Sequence, residues 1–368
     1  MRKKLLFLLF ASIVLISACK ERDISFKKEI EPERNSEKIE IKPKEEKNEE
    51  DMEEEIEKDE LAVQRAEFES KFDYSFEKYG DELSLNDSQN IPILIFHEIR
   101  KEYNGNIGVI ISENALKEYL LYLKALKYQA ISFNDYIEFK KGNKKIAKNS
   151  VIITFDDGYR SNYEIAYPIL KELGMKATIS IIGKYVDEAK DEDWSNKSLS
   201  YITWDNAKEM VDTGVIDIQN HTYDLHIDGD GVNQIRGVLG KKDDFDLRIE
   251  GRISGDNILF QQKMENYLGY KANVFTYPMG LNTDYIDSIY KKLGYEFRLG
   301  TDHGISDINS DKPLKRINTP VTAEPRAIIK ELLRLRNQNN SLIFEDIENQ
   351  EQRIKSLENY LGVELKDY

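Results

Sequence analysis

The sequence predicts an α/β fold, a distorted (β/α) barrel of about seven parallel strands preceded by a disordered tether. Two observations carry the barrel. Short apolar runs alternate with helical stretches that stop at glycine, over roughly 250 residues, which suits one barrel better than two separate domains. One run, Val151-Ile152-Ile153-Thr154-Phe155, has no polar alternation, as expected of a strand covered on both faces in a parallel sheet. The tether rests on composition. From Lys20 to about Glu60 the chain is dominated by Glu, Lys and Asp, too little apolar surface to offset the entropy of ordering.

At the N-terminus, Met1-Arg2-Lys3-Lys4 is a positive n-region, and Leu5 to Ile16 is apolar but too short for a comfortable membrane span. It ends Ile16-Ser17-Ala18-Cys19, which resembles a bacterial lipobox, and Cys19 is the only cysteine of the 368 residues. Residues 1–19 are therefore expected to be a lipoprotein signal peptide. The mature chain would be lipid-anchored at Cys19, extracytoplasmic, and without a disulfide. Residues 20–90 are expected to form a charged tether, helical around Glu53 to Phe72. The formal net charge of −15 argues against a nucleic-acid partner.

The folded part is expected from Ile91. Ile91 to His97 reads as a buried strand ending in a histidine. Leu116, Tyr119, Leu120, Leu123 and Leu126 recur at helical spacing behind a Ser112 cap. Tyr128 to Phe133 reads as a short strand, followed by the strand that ends in Asp156-Asp157-Gly158. Tyr163 to Leu173 is helical up to Gly174, Lys176 to Ile182 a strand, Asp205 to Thr213 helical up to Gly214, and Val215 to Gln219 a strand. A helix from Asn257 to Leu268, a strand Asn273 to Tyr277 and a helix Tyr285 to Leu293 follow. Glu296 to Leu299 and Arg316 to Thr319 read as the last strands, and Arg326 to Leu335 as a closing helix. Residues 337–368 form a polar extension of unreadable role.

The chemistry gathers at strand ends. Asp156 and Asp157 are adjacent carboxylates, which crowd like charge unless a cation or a shared proton relieves it. Taken alone, an Asp-Gly turn with solvated carboxylates is the plainer reading. Of four histidines, His97, His221, His226 and His303, two lie in Asn220-His221-Thr222-Tyr223-Asp224-Leu225-His226, just after a strand. A spacing of five fits neither one helix face nor one strand face, so the rings converge only if the chain turns between them. With the aspartates they make a two-His-one-carboxylate metal site the better reading, suited to Zn²⁺, with Co²⁺, Ni²⁺ or iron as other first-row choices. His303, beside Asp302 and Gly304, reads as a solvated loop histidine. Asp228-Gly229-Asp230-Gly231 lacks the Glu an EF-hand needs and reads as a turn. Trp194, Trp204 and most tyrosines read as core or half-buried surface. The chain has no Walker loop, dinucleotide fingerprint or nucleophile elbow.

Thr154-Phe155-Asp156-Asp157-Gly158-Tyr159 and His221 to His226 resemble the first two motifs of the NodB-homology polysaccharide deacetylases, carbohydrate esterase family 4. Phe275-Thr276-Tyr277-Pro278-Met279-Gly280 resembles the third motif, and Phe96-His97-Glu98-Ile99 the first strand of the extracellular poly-N-acetylglucosamine deacetylases of biofilms. The resemblance covers roughly Ile91 to Pro320 and assigns residues 91–336 to the deacetylase domain. It implies that Asp157, His221 and His226 hold the metal, that Asp156 is the general base and that His97 is the general acid. Tyr277, Pro278 and Met279 would line the substrate groove, with the Met279 N–H meeting the oxyanion. Two departures stand out. Thr276 occupies the place of an arginine that orients the catalytic aspartate in many relatives, with Arg160 or Arg316 as substitutes. Met279 stands where many have an aromatic residue. The implied activity is metal-dependent N-deacetylation of an extracellular N-acetylglucosamine polymer of the biofilm poly-β-1,6 type. Peptidoglycan N-acetylglucosamine deacetylation is the alternative, and a non-catalytic glycan-binding lipoprotein is the reading from another class. Protein partners are not legible.

Overall fold

The computed structural model describes residues 81–339, apart from 88, 192–198, 228–233, 236 and 242–245, together with residue 355. The signal peptide with Cys19, the tether up to residue 80, Trp194, the Asp228-to-Gly231 turn and nearly all of the C-terminal extension lie outside the described residues.

In chain order the elements are β1 (Ile93–Phe96), β2 (Glu98–Arg100), β3 (Ile110–Ser112), α1 (Glu113–Ala125), β4 (Gln129–Ile131), α2 (Phe133–Lys140) and β5 (Ser150–Asp157). Then come α3 (Tyr167–Glu172), β6 (Ala177–Ile181), α4 (Gly183–Glu188), α5 (Trp204–Asp212), β7 (Ile216–Asn220), β8 (Gln234–Ile235) and β9 (Gly240–Lys241). The chain continues through α6 (Asp246–Leu268), β10 (Val274–Thr276), α7 (Asp284–Lys292), β11 (Phe297–His303), β12 (Leu314–Asn318) and α8 (Pro325–Asn339).

Seven strands, in the order β1-β12-β11-β10-β7-β6-β5, close on themselves because β5 also pairs with β1. Their pairings are all parallel, and β4 adds a further parallel strand to the start of β5. Parallel closure brings the C-terminal ends of all seven strands to one rim. The unbroken apolar runs follow from it. On β5, Val151, Ile153 and Phe155 join Leu94 and Phe96 in the core beneath the helices, while Ile152 joins Ile93, Val274, Phe297 and Leu299 in a second core. Alternate residues of one strand thus serve two apolar layers, as period-two geometry requires.

Several boundaries differ from the sequence reading, each for a local reason. Phe133 opens a helix, α2, instead of ending a strand. Ser132 and Asp135 form a capping box there, and the Phe133 ring packs 4.9 Å from Phe297. The helix expected from Asn257 already starts at Asp246, and the stretch from Tyr163 begins in a π-turn, Asn162–Ala166, before α3. The described residues between 81 and 90, a stretch assigned to the tether, pack on the folded body: Leu83 is buried and its N–H donates to Ile146 O at 2.9 Å. Trp204 is core, stacked on Tyr267 at 4.8 Å. His303 is exposed as expected, but it ends strand β11 and does not sit in a loop.

Candidate active site

β5 delivers both aspartates to the rim, and the backbone there turns hard. Asp157 has φ 73° and Gly158 φ 78°, so the chain reverses within two residues and both carboxylates stay at the mouth of the ring. A Cβ on Gly158 would sit 2.9 Å from the Ile181 side chain, which β6 packs against the turn. Thr222 (φ 77°) and Met279 (φ 54°) share this uncommon left-handed conformation. Among the described residues Lys127 is the only other non-glycine residue in it, so the strain gathers in the three rim segments, where it is characteristic of functional sites.

The turn after β7 brings His221 and His226 together, with ring centroids 5.1 Å apart. His221 Nε2 lies 3.2 Å and His226 Nε2 3.4 Å from Asp157 Oδ1. Separations of roughly 3–3.5 Å are what donors around one first-row ion require at ordinary bond lengths. His221 Nδ1 donates to Thr276 O at 2.8 Å, since a carbonyl can only accept, and this leaves the Nε2 lone pair aimed at the site. The Asp157, His221 and His226 donor atoms all fall within 4.8 Å of one another. The residues present therefore fit a divalent ion. Electrostatics agree. Burial pushes the Asp157 carboxyl up, but the hydrogen bond and charge of His221 outweigh it and hold it below the usual carboxylate range. Burial pulls the His221 pKa down, yet the Asp157 and Asp156 carboxylates raise it overall, the mark of a place that attracts positive charge.

Asp156 faces Arg316. The guanidinium of Arg316, fully buried on β12, grips it with Nη1 2.8 Å from Oδ1 and Nη2 2.8 Å from Oδ2. Arg316 is itself fixed by its Nε donating to Gly300 O (2.7 Å) and by Nη1 donating to Thr154 Oγ1 (3.2 Å). Burial pushes Asp156 up, and the Arg316 charge and hydrogen bonds reverse this and hold it below the usual carboxylate range. The place left open by Thr276 is thus filled by Arg316, one of the two substitutes weighed. Arg160, the other, is engaged elsewhere, with Glu164, Asp191 and Asn206. Thr276 instead pairs its hydroxyl with Ser180 Oγ at 2.7 Å.

His97 follows β1, and Asn162 Nδ2 holds its carbonyl at 2.8 Å. Its Nε2 lies 3.9 Å from Asp156 Oδ2. Burial lowers its pKa below the usual histidine value, although the Asp156 and Asp157 carboxylates pull upward. His97, Asp156, Asp157, His221, His226 and Met279 line one cavity of about 480 Å³, walled also by Val109, Thr301, Asn318 and Pro320. That volume is of the size small-ligand sites use.

The third-motif segment divides. Met279 reaches the cavity, but Tyr277 is fully buried and its hydroxyl donates to Asp287 Oδ1 at 2.8 Å. Its ring meets Phe275 edge-on at 5.0 Å, and Pro278 is buried too. The expected groove contacts of Tyr277 and Pro278 are therefore not made by their side chains; both support the turn that presents Met279. Gly280 is required in that turn, because a Cβ there would lie 2.0 Å from Thr301 Oγ1 at φ 71°. His303 stays outside, with Nε2 3.8 Å from a Glu331 carboxylate oxygen. Sequence reasoning missed Asp256 on α6, which accepts from two N–H groups of the histidine turn.

The family described as polysaccharide deacetylase matches residues 143–298, the span that carries Asp156, Asp157, both metal-site histidines and Met279. A Staphylococcus aureus protein named poly-beta-1,6-N-acetyl-D-glucosamine N-deacetylase is 31% identical over 222 residues, covering 55% of this chain and 69% of the relative. The chain belongs to the polysaccharide deacetylase family. YxkH of Bacillus subtilis, whose name assigns it provisionally to the polysaccharide deacetylases, is 28% identical over 214 residues. A poly-beta-1,6-N-acetyl-D-glucosamine N-deacetylase of Escherichia coli K12 is 22% identical over 237 residues. This deacetylase-family chain spans 65% of the former's length and 35% of the latter's. The fold is shared with a de-N-acetylase from Aggregatibacter actinomycetemcomitans, with TM-score 0.58 and 21% identity over 66% of this chain and 99% of that one.

Proposed function

We propose that this family member is a metal-dependent N-deacetylase of an N-acetylglucosamine polymer of the poly-β-1,6 type, working outside the cytoplasm from a lipid anchor at Cys19. The observation that carries the reaction is the convergence of the Asp157-His221-His226 donors with Asp156 and His97 on one cavity. The substrate follows the names of the Staphylococcus aureus and Escherichia coli relatives. The anchor follows the sequence ending in Cys19.

Asp157, His221 and His226 would hold a divalent ion such as Zn²⁺, whose chemistry there would be to acidify water and polarise the acetyl carbonyl. The residues supply the rest. Asp156, kept ionised by Arg316, has lone pairs left to take a proton from attacking water. An amine leaves only when protonated, and His97 is the second titratable group facing the cavity without a metal-ligand role. Burial shifts His97 toward its neutral form, so it would take up the proton that it then donates. Asp156, 3.9 Å away, is the group that can hand on the one it has accepted. One proton would so pass from water through Asp156 and His97 to the amide nitrogen, releasing the amine and acetic acid, which ionises to acetate and can protonate the free amine. Met279, whose left-handed turn borders the cavity, would offer its backbone N–H to the developing oxyanion.

The test is acetate release by full-length protein in washed membranes, from poly-β-1,6-N-acetylglucosamine and from peptidoglycan glycan chains in parallel. The expected result is acetate from the first polymer, with the activity moving to the soluble fraction in Cys19→Ala. Acetate from peptidoglycan alone would transfer the reading to that substrate. Acetate from neither, with zinc bound, would leave a glycan-binding protein.

A further inference from the structure

The five-residue spacing of the two histidines has a structural price, and a residue outside both motifs meets it. Between His221 and His226 the chain must bend sharply, and it does so through Thr222 at φ 77°, a costly conformation for a β-branched residue. Every backbone N–H from His221 to Leu225 has a fixed acceptor. His221 N donates to Ile181 O (3.0 Å), Thr222 N to Asn220 Oδ1 (2.6 Å) and Leu225 N to Thr222 Oγ1 (3.1 Å). The two central donors leave the turn altogether. Tyr223 N donates to Asp256 Oδ2 at 2.8 Å and Asp224 N to Asp256 Oδ1 at 2.7 Å. From the other side, Gly183 N and Lys184 N donate to Thr222 O and Tyr223 O at 3.0 and 2.9 Å.

We infer that Asp256 is a positioning residue for the metal centre: its carboxylate clamps the bend that brings His221 and His226 onto one ion. The inference rests on the metal-site reading above. Only a carboxylate suits the task. Two successive N–H groups point at its two oxygens, and an asparagine would turn one of its own donors toward one of them. Burial pushes the Asp256 carboxyl up to about 6, so at neutral pH it is ionised and accepts with both oxygens. Supporting partners of metal-site histidines typically change metal affinity by 10–100-fold when lost. Asp256 works one step further back, through the backbone that carries the rings.

The test measures zinc affinity of the full chain by chelator competition, for wild type, Asp256→Asn and Asp256→Ala, with amide exchange at Tyr223 and Asp224 as second readout. The expected result is at least about tenfold weaker zinc binding in both variants. Faster exchange at those two amides in the metal-free protein should accompany it. If the alanine variant does not fold, the isosteric asparagine decides. Folded variants that melt earlier yet bind zinc as wild type does would reduce Asp256 to a structural cap and overturn the inference. Zinc bound by wild type without acetate release from any polymer would end the deacetylase reading and leave the Asp256 question to the affinities. Wild type that binds no zinc would overturn both.

Discussion

Arg316→Met reduces acetate release to background and destabilises the protein by about 3–5 kcal/mol, the usual cost of stranding one partner of a buried ion pair. Arg316 is fully buried and bidentate on Asp156, and its charge and hydrogen bonds are what offset the burial of that carboxyl. Without the guanidinium, burial of Asp156 is opposed only by the lesser pull of His221 and His97, so its pKa rises and the carboxyl is less often ionised to accept a proton from water. Asp156→Asn/Arg316→Met removes both charges and should regain much of the lost stability while regaining no activity. Denaturant unfolding beside acetate assays on the two single variants and the double variant checks this. Arg316→Met with near wild-type turnover would show that Asp156 is not the base, or that it does not need this partner.

His97→Ala keeps its zinc and loses kcat by about 10²–10⁴-fold, the range of general acid–base catalysis. His221→Ala loses zinc and activity together. The contrast follows from position: the His97 ring is 3.9 Å from Asp156, while His221 Nε2 is 3.2 Å from the Asp157 oxygen that defines the donor cluster. The acid role makes a sharper prediction. An aryl acetate ester has a leaving group that departs without a proton, so its hydrolysis should survive His97→Ala far better than deacetylation does. Equal losses on ester and amide would remove His97 from the acid role and make it a positioning group.

The reactive end of the barrel was legible because it is local. An unalternated apolar run ending in Asp156-Asp157, and two histidines whose spacing demands a turn, declare their chemistry within a few residues. Arg316 could be named only as one of two substitutes for the missing arginine. What brings it to Asp156 is closure of the ring, with β1 pairing to β5 on one side and β12 on the other. No linear spacing encodes that. Asp256 is invisible for the same reason: it lies far along the chain from the turn it serves, and one residue before Asn257, where the sequence places the start of the helix that carries it. Tyr277 is ambiguous in sequence, because an aromatic beside Pro278 and Gly280 fits a sugar platform and a core residue equally well. Packing against Phe275 and a bond to Asp287 decide for the core. Residues 81–90 looked like tether by composition, yet Leu83 and Gln89 are buried. Thr276 stands where many relatives have an arginine, and Arg316 occupies that role beside Asp156.

The most direct measurement is a zinc titration of metal-stripped protein, recording bound ion and acetate release from poly-β-1,6-N-acetylglucosamine at each step. The account predicts one tight ion per chain, acetate release that rises in proportion to occupancy, and loss of both in Asp157→Ala. Undiminished acetate release from stripped protein held in excess chelator would contradict it.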